Sequence, residues 1–285
     1  MNNIIDGKLV ASNIKQRLKE EISKMDIVPK LAVILVGDDA ASQVYVRNKH
    51  KACQEVGINS LQIVLPSDTS EEELICKISQ LNADDSVHGI LVQLPLPKHI
   101  NKDRVIDAID PRKDVDGFTK NSKFIPCTPA GIIELLDSVP DYSLEGKTAL
   151  VIGRSDIVGK PVAKLLLDRN CTVIQAHSRT SYSDLLKLFG ISDIVVSAVG
   201  KRFVLDKQDA NCYRERYNKC FCSHIIIDVG INRDEEGKLC GDFSEAFKDT
   251  YSRYYTPVPG GVGPMTIAML LKNTVEAAKN LKNMA

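Results

Sequence analysis

Two hydrophobic rhythms alternate along the chain. Leu9, Val10, Ile14, Leu18, Ile22 and Met25 recur at helical spacing, and the apolar run Leu31–Val36 reads as a buried strand stopped by Gly37-Asp38-Asp39. The spacing predicts a helix from Ser42 to Val56, ended by Gly57, and then a strand over Leu61–Leu65. Ser70-x-x-Glu73 is a capping-box signature opening a helix through Leu81, and Val87–Leu94 gives a further strand. A short helix near Arg104–Ile109 leads into a loop rich in Asp, Lys and Pro, then into a helical pattern over Ala130–Leu136 suited to bridging two domains. From Gly146 the rhythm restarts: strand Thr148–Ile152, glycine loop, helix, strand Thr172–Ala176, helix, strand Asp193–Val199 and, later, strand Ile225–Val229. A last helix, Thr266–Leu281, with Thr266 as its cap, is too isolated to be a domain and is expected to pack back onto a lobe.

This alternation predicts an α/β protein with parallel sheets. Its 285 residues suggest two domains. The expected division is an N-terminal α/β lobe over residues 1–140 plus 267–285, the terminal helix packing on it, and a Rossmann-like lobe over 141–266.

Composition narrows the class. With 37 Lys+Arg against 37 Asp+Glu, the chain lacks the basic excess of a general nucleic-acid binder, although a local basic pocket stays open. Leu31–Val36 is far short of the roughly 20 apolar residues that cross a bilayer, so no membrane association is expected. The start, Met1-Asn2-Asn3-Ile4-Ile5-Asp6, lacks the basic-then-apolar layout of a signal peptide. Eight cysteines are too sparse here for a disulfide scaffold. Cys212, Cys220, Cys222 and Cys240, with His224, match none of the paired zinc spacings, so no metal and a reduced, cytoplasmic thiol set are expected.

Gly153-Arg-Ser-Asp-Ile-Val-Gly159 lies between a predicted strand and helix, the context of a dinucleotide turn, but Ser155 occupies the middle glycine position. A plain strand-to-helix turn is the alternative. An NAD site commonly carries an acid about 20 residues further on, to accept the ribose 2′-hydroxyl. Here the second strand ends Ala176-His177-Ser178-Arg179-Thr180, and the nearest acids, Asp168 and Asp184, flank it. Arg154, Ser178 and Arg179 could donate to a 2′-phosphate, which favours NADP over NAD; taken singly, the arginines also read as solvated loop charges.

Tyr45 and Lys49 share one face of a predicted helix. They could serve as aromatic platform and proton-handling amine, or belong to an exposed polar stripe with Arg47, Lys51 and Glu55. Gln93 sits at the C-terminal end of a buried strand, where α/β proteins place ligands. Asp114-Val-Asp116-Gly117 could grip an amidine-like edge through paired hydrogen bonds, or form an Asx turn. Thr256-Pro-Val-Pro-Gly-Gly-Val-Gly-Pro-Met-Thr266 is stiff at some points and bare at others, which allows close approach of a flat ligand.

In order, Ser42-x-x-Tyr45-Val46-x-x-Lys49-x-Lys51, Gln93-Leu-Pro-Leu-Pro97, Lys113-Asp-Val-Asp-Gly117, Pro126-Cys-Thr-Pro129, Gly153-Arg-Ser-x-x-Val-Gly-x-Pro161 and Pro257-Val-Pro-Gly-Gly-Val-Gly-Pro-Met-Thr266 closely resemble the bifunctional methylenetetrahydrofolate dehydrogenase/cyclohydrolase family of FolD type. The resemblance covers residues 42 to 266. It implies oxidation of 5,10-methylenetetrahydrofolate by NADP, then hydrolysis of the 5,10-methenyl cation to 10-formyltetrahydrofolate. It implies Lys49 as the central catalytic residue, Tyr45 stacking on the folate, Gln93 tuning Lys49 and Asp116 holding the pterin edge. Val92, Leu94, Pro259, Gly260, Gly261, Val262 and Gly263 would line the substrate, and Gly153, Arg154, Ser155, Ser178, Arg179 and Ile231 the cofactor. A small-molecule folate is the expected partner, and a homodimer the expected assembly.

The chain departs from the family pattern at Leu239-Cys240-Gly241-Asp242-Phe243, two residues short, and in an apparent extension over Asn211–Ser223. The alternatives left open are a dehydrogenase for another substrate, a monofunctional dehydrogenase and a non-catalytic folate-binding relative. The active site is expected between the two lobes.

Overall fold

The computed structural model describes residues 3–202, 204–205, 207–208, 211 and 224–283. Cys212, Cys220, Cys222 and most of the Asn211–Ser223 extension lie outside the described residues. The chain forms two compact units, Met1–Ala11 with Thr128–Thr266, and Ser12–Cys127 with Ile267–Ala285.

The second unit holds a three-stranded parallel sheet of β2 (Lys30–Val36), β3 (Asn59–Leu65) and β4 (Gly89–Val92), in the order β3-β2-β4. β2 is buried along nearly its whole length, as its apolar run requires of a central strand. β3 alternates between partial burial and exposure, with Val64 65% exposed, as fits an edge. Between β2 and β3 runs α2 (Ala40–Val56), where the Asp39 side chain accepts Ser42 N–H and Gly57 ends the helix in the left-handed region. α3 (Glu71–Ala83) carries the predicted capping box, with Ser70 and Glu73 bonded reciprocally. Its Leu74, Ile78 and Leu81 pack on Ala32, Ile34, Ile90 and Val92, alongside Val105 and Ile106 of α4 (Lys102–Asp107).

The first unit holds six strands in parallel: β1 (Asn3–Ile4), β5 (Thr148–Ile152), β6 (Thr172–Ala176), β7 (Ile194–Ser197), β8 (His224–Asp228) and β11 (Ser252–Tyr255), ordered β1-β11-β8-β7-β5-β6. A hairpin, β9 (Asn232–Arg233) with β10 (Leu239–Cys240), pairs separately. α6 (Gly159–Asp168) and α7 (Tyr182–Ile191) are crossovers, and α8 (Glu245–Tyr251) precedes β11. The core joins Leu150, Val195 and Ile226 from the sheet to Phe189, Phe243, Phe247 and Tyr251. β6 lies on one side of β5 and β7 on the other, the switch point beside which such sheets bind ligands.

The divisions fall inside α1 (Gly7–Ile22), α5 (Cys127–Asp137) and α9 (Val262–Lys282). Two corrections follow for the expected 1–140 boundary. Residues 3–11 belong with the six-stranded sheet, because β1 pairs in parallel with β11 and Ile5 N–H donates to Tyr255 O at 2.8 Å. Residues 128–140 join the same unit, where Thr128 Oγ1 meets Thr266 Oγ1 at 3.0 Å. Leu9 is 59% exposed, so the buried stripe of α1 runs through Ala11, Ile14, Leu18 and Ile22 instead.

α9 begins at Val262, not at Thr266, and therefore contains Gly263 and Pro264 in its first turn. Proline is tolerated there because first-turn N–H groups have no helical acceptor. From Ile267 onward this helix belongs to the Ser12–Cys127 unit. Its buried Asn273 donates through Nδ2 to Val115 O at 2.9 Å and Ile125 O at 3.2 Å. Lys282 reaches Asp26 at 2.8 Å, and Lys279 pairs with Glu21. Among the described residues, no helix is long and apolar enough to cross a membrane.

Candidate active site

Lys49 and Gln93 meet within the second unit. Lys49 lies on α2, half-buried, and its Nζ donates to Gln93 Oε1 at 2.9 Å. Gln93 follows β4 directly, its backbone N–H donating to Ile34 O at 2.8 Å and its Nε2 to Leu94 O at 2.7 Å. The glutamine is thus held at both backbone and side chain, and its oxygen faces the ammonium. Tyr45 lies one turn before Lys49 and is 44% exposed, so its ring is available as a platform. Val92 is buried and Leu94 partly buried beside the same strand end.

The Asp114-Val-Asp116-Gly117 segment forms an Asx turn through the first of its acids. Asp114 is buried and makes the turn: Oδ1 accepts Gly117 N–H at 3.1 Å and Oδ2 accepts Thr119 N–H at 2.7 Å. Ile90 N–H donates to Lys113 O, which ties the loop to β4. The Lys113 ammonium is spent on the carbonyls of Leu81, Asn82 and Asp84 at the end of α3. The Asp116 side chain takes none of these turn bonds. Burial pushes its carboxyl above the ordinary range, while the Lys49 charge pulls it back. A desolvated carboxylate of this kind binds paired N–H donors strongly. Buried Cys127 donates to Val115 O at 3.3 Å and receives Asn273 Nδ2 at 3.7 Å, bracing the loop beside the Asp116 side chain.

In the first unit the glycine turn follows β5. Gly153 has φ +122, reserved for glycine, and a Cβ on Gly159 would come within 2.5 Å of Gly153 O. Ser155, the departure from the glycine pattern, has a structural use: its Oγ accepts Val158 N–H and Gly159 N–H, each at 3.3 Å, where Val158 offers α6 no side-chain cap. Arg154, Ser178 and Arg179 are exposed, and β6 ends without an acid. Ile231, just after β8, is 57% exposed. Pro259, Gly260, Gly261, Val262 and Gly263 lie in this unit too, the last two already in α9.

His224 stands at the start of β8 with its ring 4.4 Å from Phe189 and Nδ1 at 2.6 Å from Ser192 O, while Cys240 is on the β9–β10 hairpin. Burial holds His224 down to about 4. Among the described residues no group of His, Cys, Asp or Glu could hold a metal ion.

A profile of the tetrahydrofolate dehydrogenase/cyclohydrolase catalytic domain matches residues 5–116, and the NAD(P)-binding domain of the same family matches 126–282. The chain belongs to this family. Within the dehydrogenase/cyclohydrolases, Bifunctional protein FolD of Agathobacter rectalis is 50% identical, covering 98% of this chain and 100% of the relative. The crystal structure of the bifunctional FolD enzyme from Campylobacter jejuni is 45% identical with a TM-score of 0.90, over 98% of this chain and 99% of that one. FolD from Trypanosoma brucei, solved with NADP cofactor and inhibitor, is 35% identical with a TM-score of 0.87, over 98% of each chain.

For this dehydrogenase/cyclohydrolase, the sequence motifs contain Lys113 and Cys127 but gave neither a role in supporting the Asp116 loop, and Asn273 was not singled out at all. The partners of Asn273 lie far away along the chain, where no local pattern points.

Proposed function

We infer that this dehydrogenase/cyclohydrolase oxidises 5,10-methylenetetrahydrofolate with NADP and hydrolyses the resulting methenyl cation, with Lys49 as its proton-handling group. The observation that carries the reading is the Lys49–Gln93 bond at 2.9 Å.

NADP+ supplies the hydride acceptor. The residues present fit it: the Gly153–Gly159 turn is bare enough for close backbone approach, and the strand after it ends in Ser178 and Arg179 rather than an acid. Arg154 and Arg179 would face the 2′-phosphate. The lone pairs of the folate nitrogens assist hydride departure, so this step asks for positioning more than for a base. Tyr45 offers the ring on which the folate stacks, and Asp116 accepts the paired N–H groups of the pterin edge. Val92, Leu94 and the Pro259–Gly263 segment complete the substrate lining.

Hydrolysis asks for more. Water adds to the bridging carbon and its oxygen gives up both protons as the formyl group forms: one leaves to solvent, discharging the cation, and the other must reach the nitrogen released as the ring opens. Lys49 Nζ can hold and return that proton while Gln93 Oε1 fixes its position. A lysine with a single anchored hydrogen bond keeps its other N–H positions for substrate and water.

We propose a cytoplasmic homodimer. The cytoplasm is supported by the free thiols of Cys53, Cys76, Cys127, Cys171 and Cys240, the dimer by the family resemblance. Sedimentation of the purified chain tests the assembly.

For the reaction, methylenetetrahydrofolate is supplied with NADP+ and NAD+ in parallel while the reduced nucleotide, the methenyl compound and 10-formyltetrahydrofolate are followed. Formation of NADPH with matching 10-formyl product is expected. NADPH formation with persisting methenyl compound would indicate a dehydrogenase alone, and no reduced nucleotide would contradict the reading.

A further inference from the structure

Two buried acids interlock at the C-terminal edge of the six-stranded sheet. Asp228 ends β8: its Oδ1 accepts Gly230 N–H at 3.0 Å and Asp242 N–H at 2.9 Å, and its Oδ2 accepts Phe243 N–H at 3.1 Å. Asp242 answers in kind. Its Oδ2 accepts Ser197 Oγ at 2.7 Å and Val199 N–H at 3.1 Å, and its Oδ1 accepts Lys201 N–H and Asn232 Nδ2, each at 3.0 Å. A Cβ on Gly230 would overlap the Asp242 carboxylate, and one on Gly241 would overlap the Asp228 carboxylate. Fully buried Lys248 lies 3.7 Å from Asp228 Oδ2 and 2.7 Å from Glu245 Oε1. Burial pushes the Asp228 carboxyl up to about 6, against the pull of Lys248 and the backbone donors.

The donors gathered by Asp242 come from the end of β7 and from the segments that follow β7 and β8. The first of those segments touches the glycine turn: a Cβ on Gly153 would lie 2.6 Å from Ala198 O. β5 and β7 flank the switch point, so the loop that Asp242 ties down walls the place where a dinucleotide sits. The second carries Ile231.

We propose that Asp242 is a positioning residue for NADP, holding the 198–201 loop against the Gly153 turn and, through Asn232, the segment bearing Ile231. The proposal rests on the reading of this unit as the NADP site. All four groups around the carboxylate donate. An asparagine there would offer one oxygen and turn its NH2 toward a backbone N–H, freeing one loop from the other without removing the side chain's volume.

The test measures NADP+ Kd by calorimetry and dehydrogenase KM, with methenyl hydrolysis in the absence of NADP+ as an internal control. In Asp242→Asn, NADP+ Kd and KM rise about tenfold, the scale of a lost charge-assisted hydrogen bond. Hydrolysis stays within about twofold of wild type, and the Val199 and Lys201 amides exchange faster with solvent. Asn232→Ala, which removes a partly buried neutral partner, covers the case in which Asp242→Asn does not fold; its NADP+ Kd rises about threefold. Wild-type NADP+ Kd in folded Asp242→Asn overturns the proposal, as it does in Asn232→Ala if the first variant fails to fold. Hydrolysis falling in step with cofactor binding overturns it too, by marking a general structural role. Failure of the wild-type chain to bind NADP+ would instead contradict the reading of the domain.

Discussion

Lys49 and Gln93, 44 residues apart, are joined by a 2.9 Å hydrogen bond whose direction is set by a second one, from Gln93 Nε2 to Leu94 O at 2.7 Å. With its amide N–H committed to a carbonyl, the glutamine presents only oxygen to the ammonium. The helix after β2 carries the lysine and the end of β4 carries the glutamine, so the parallel pairing of β2 with β4 brings the two together.

Replacing the glutamine should therefore disturb the lysine proposed to handle protons without removing it. Gln93→Leu is expected to slow methenyl hydrolysis about 10- to 100-fold while leaving the NADP+ KM unchanged. Stopped-flow decay of the methenyl compound checks this. An undiminished rate would show that the 2.9 Å contact does not matter to hydrolysis.

The two acids of the Asp114–Gly117 loop should separate cleanly. Asp116→Asn is expected to raise the folate KM about tenfold with a smaller loss of stability than Asp114→Ala, because the Asp116 carboxylate accepts none of the turn's N–H groups. Asp114→Ala, which strips acceptors from Gly117 and Thr119 N–H, is expected to cost about 2 kcal/mol of stability. Steady-state kinetics and urea denaturation of both variants distinguish the roles; exchanged phenotypes would reverse the assignment.

For the cofactor, Arg154→Ala is expected to raise the NADP+ KM about tenfold and the NAD+ KM little, since only NADP+ carries the 2′-phosphate. Equal effects on both nucleotides would remove Arg154 from that phosphate.

Much of this was legible along the chain, and the exceptions have physical causes. Strands Thr148–Ile152 and Thr172–Ala176 fall where the apolar runs predict them, because punctuated runs of that length leave few other solutions. β1 is two residues long and exists through its pairing with Tyr254 and Tyr255, far away in sequence. β11, Ser252-Arg253-Tyr254-Tyr255, carries no clear alternation. The start of α9 was hidden by Gly263 and Pro264, residues that usually end helices and here occupy a first turn. Lys49, Gln93 and Asp116 were readable as motifs, but nothing local tells that the Asp114 side chain, and not that of Asp116, accepts the turn's N–H groups. Asp242 and Asn273 owe their roles to partners on distant elements.

Stability should respond to acid through His224. Its ordinary value lies near 6.5, and burial lowers it to about 4 in the fold. Between those values the unfolded chain binds a proton that the native chain refuses, so this contribution is lost as pH falls from 6.5 toward 4, by about 3 kcal/mol at most. Asp228, raised to about 6, acts in the opposite sense over an overlapping window. The quantity to measure is therefore the difference between wild type and His224→Gln in urea denaturation at pH 7, 5.5 and 4.5 (chosen to span about two units of that window). Wild type should lose more stability on acidification than the variant; parallel curves would show that His224 does not stay neutral.

The most direct test of the account is methenyl hydrolysis by Lys49→Met, measured beside wild type with no nucleotide present. Methionine keeps the stem and removes the ammonium, so the account predicts loss of hydrolysis by at least about 100-fold in a folded protein that still binds NADP+. Hydrolysis at the wild-type rate in that variant would contradict the role given to Lys49.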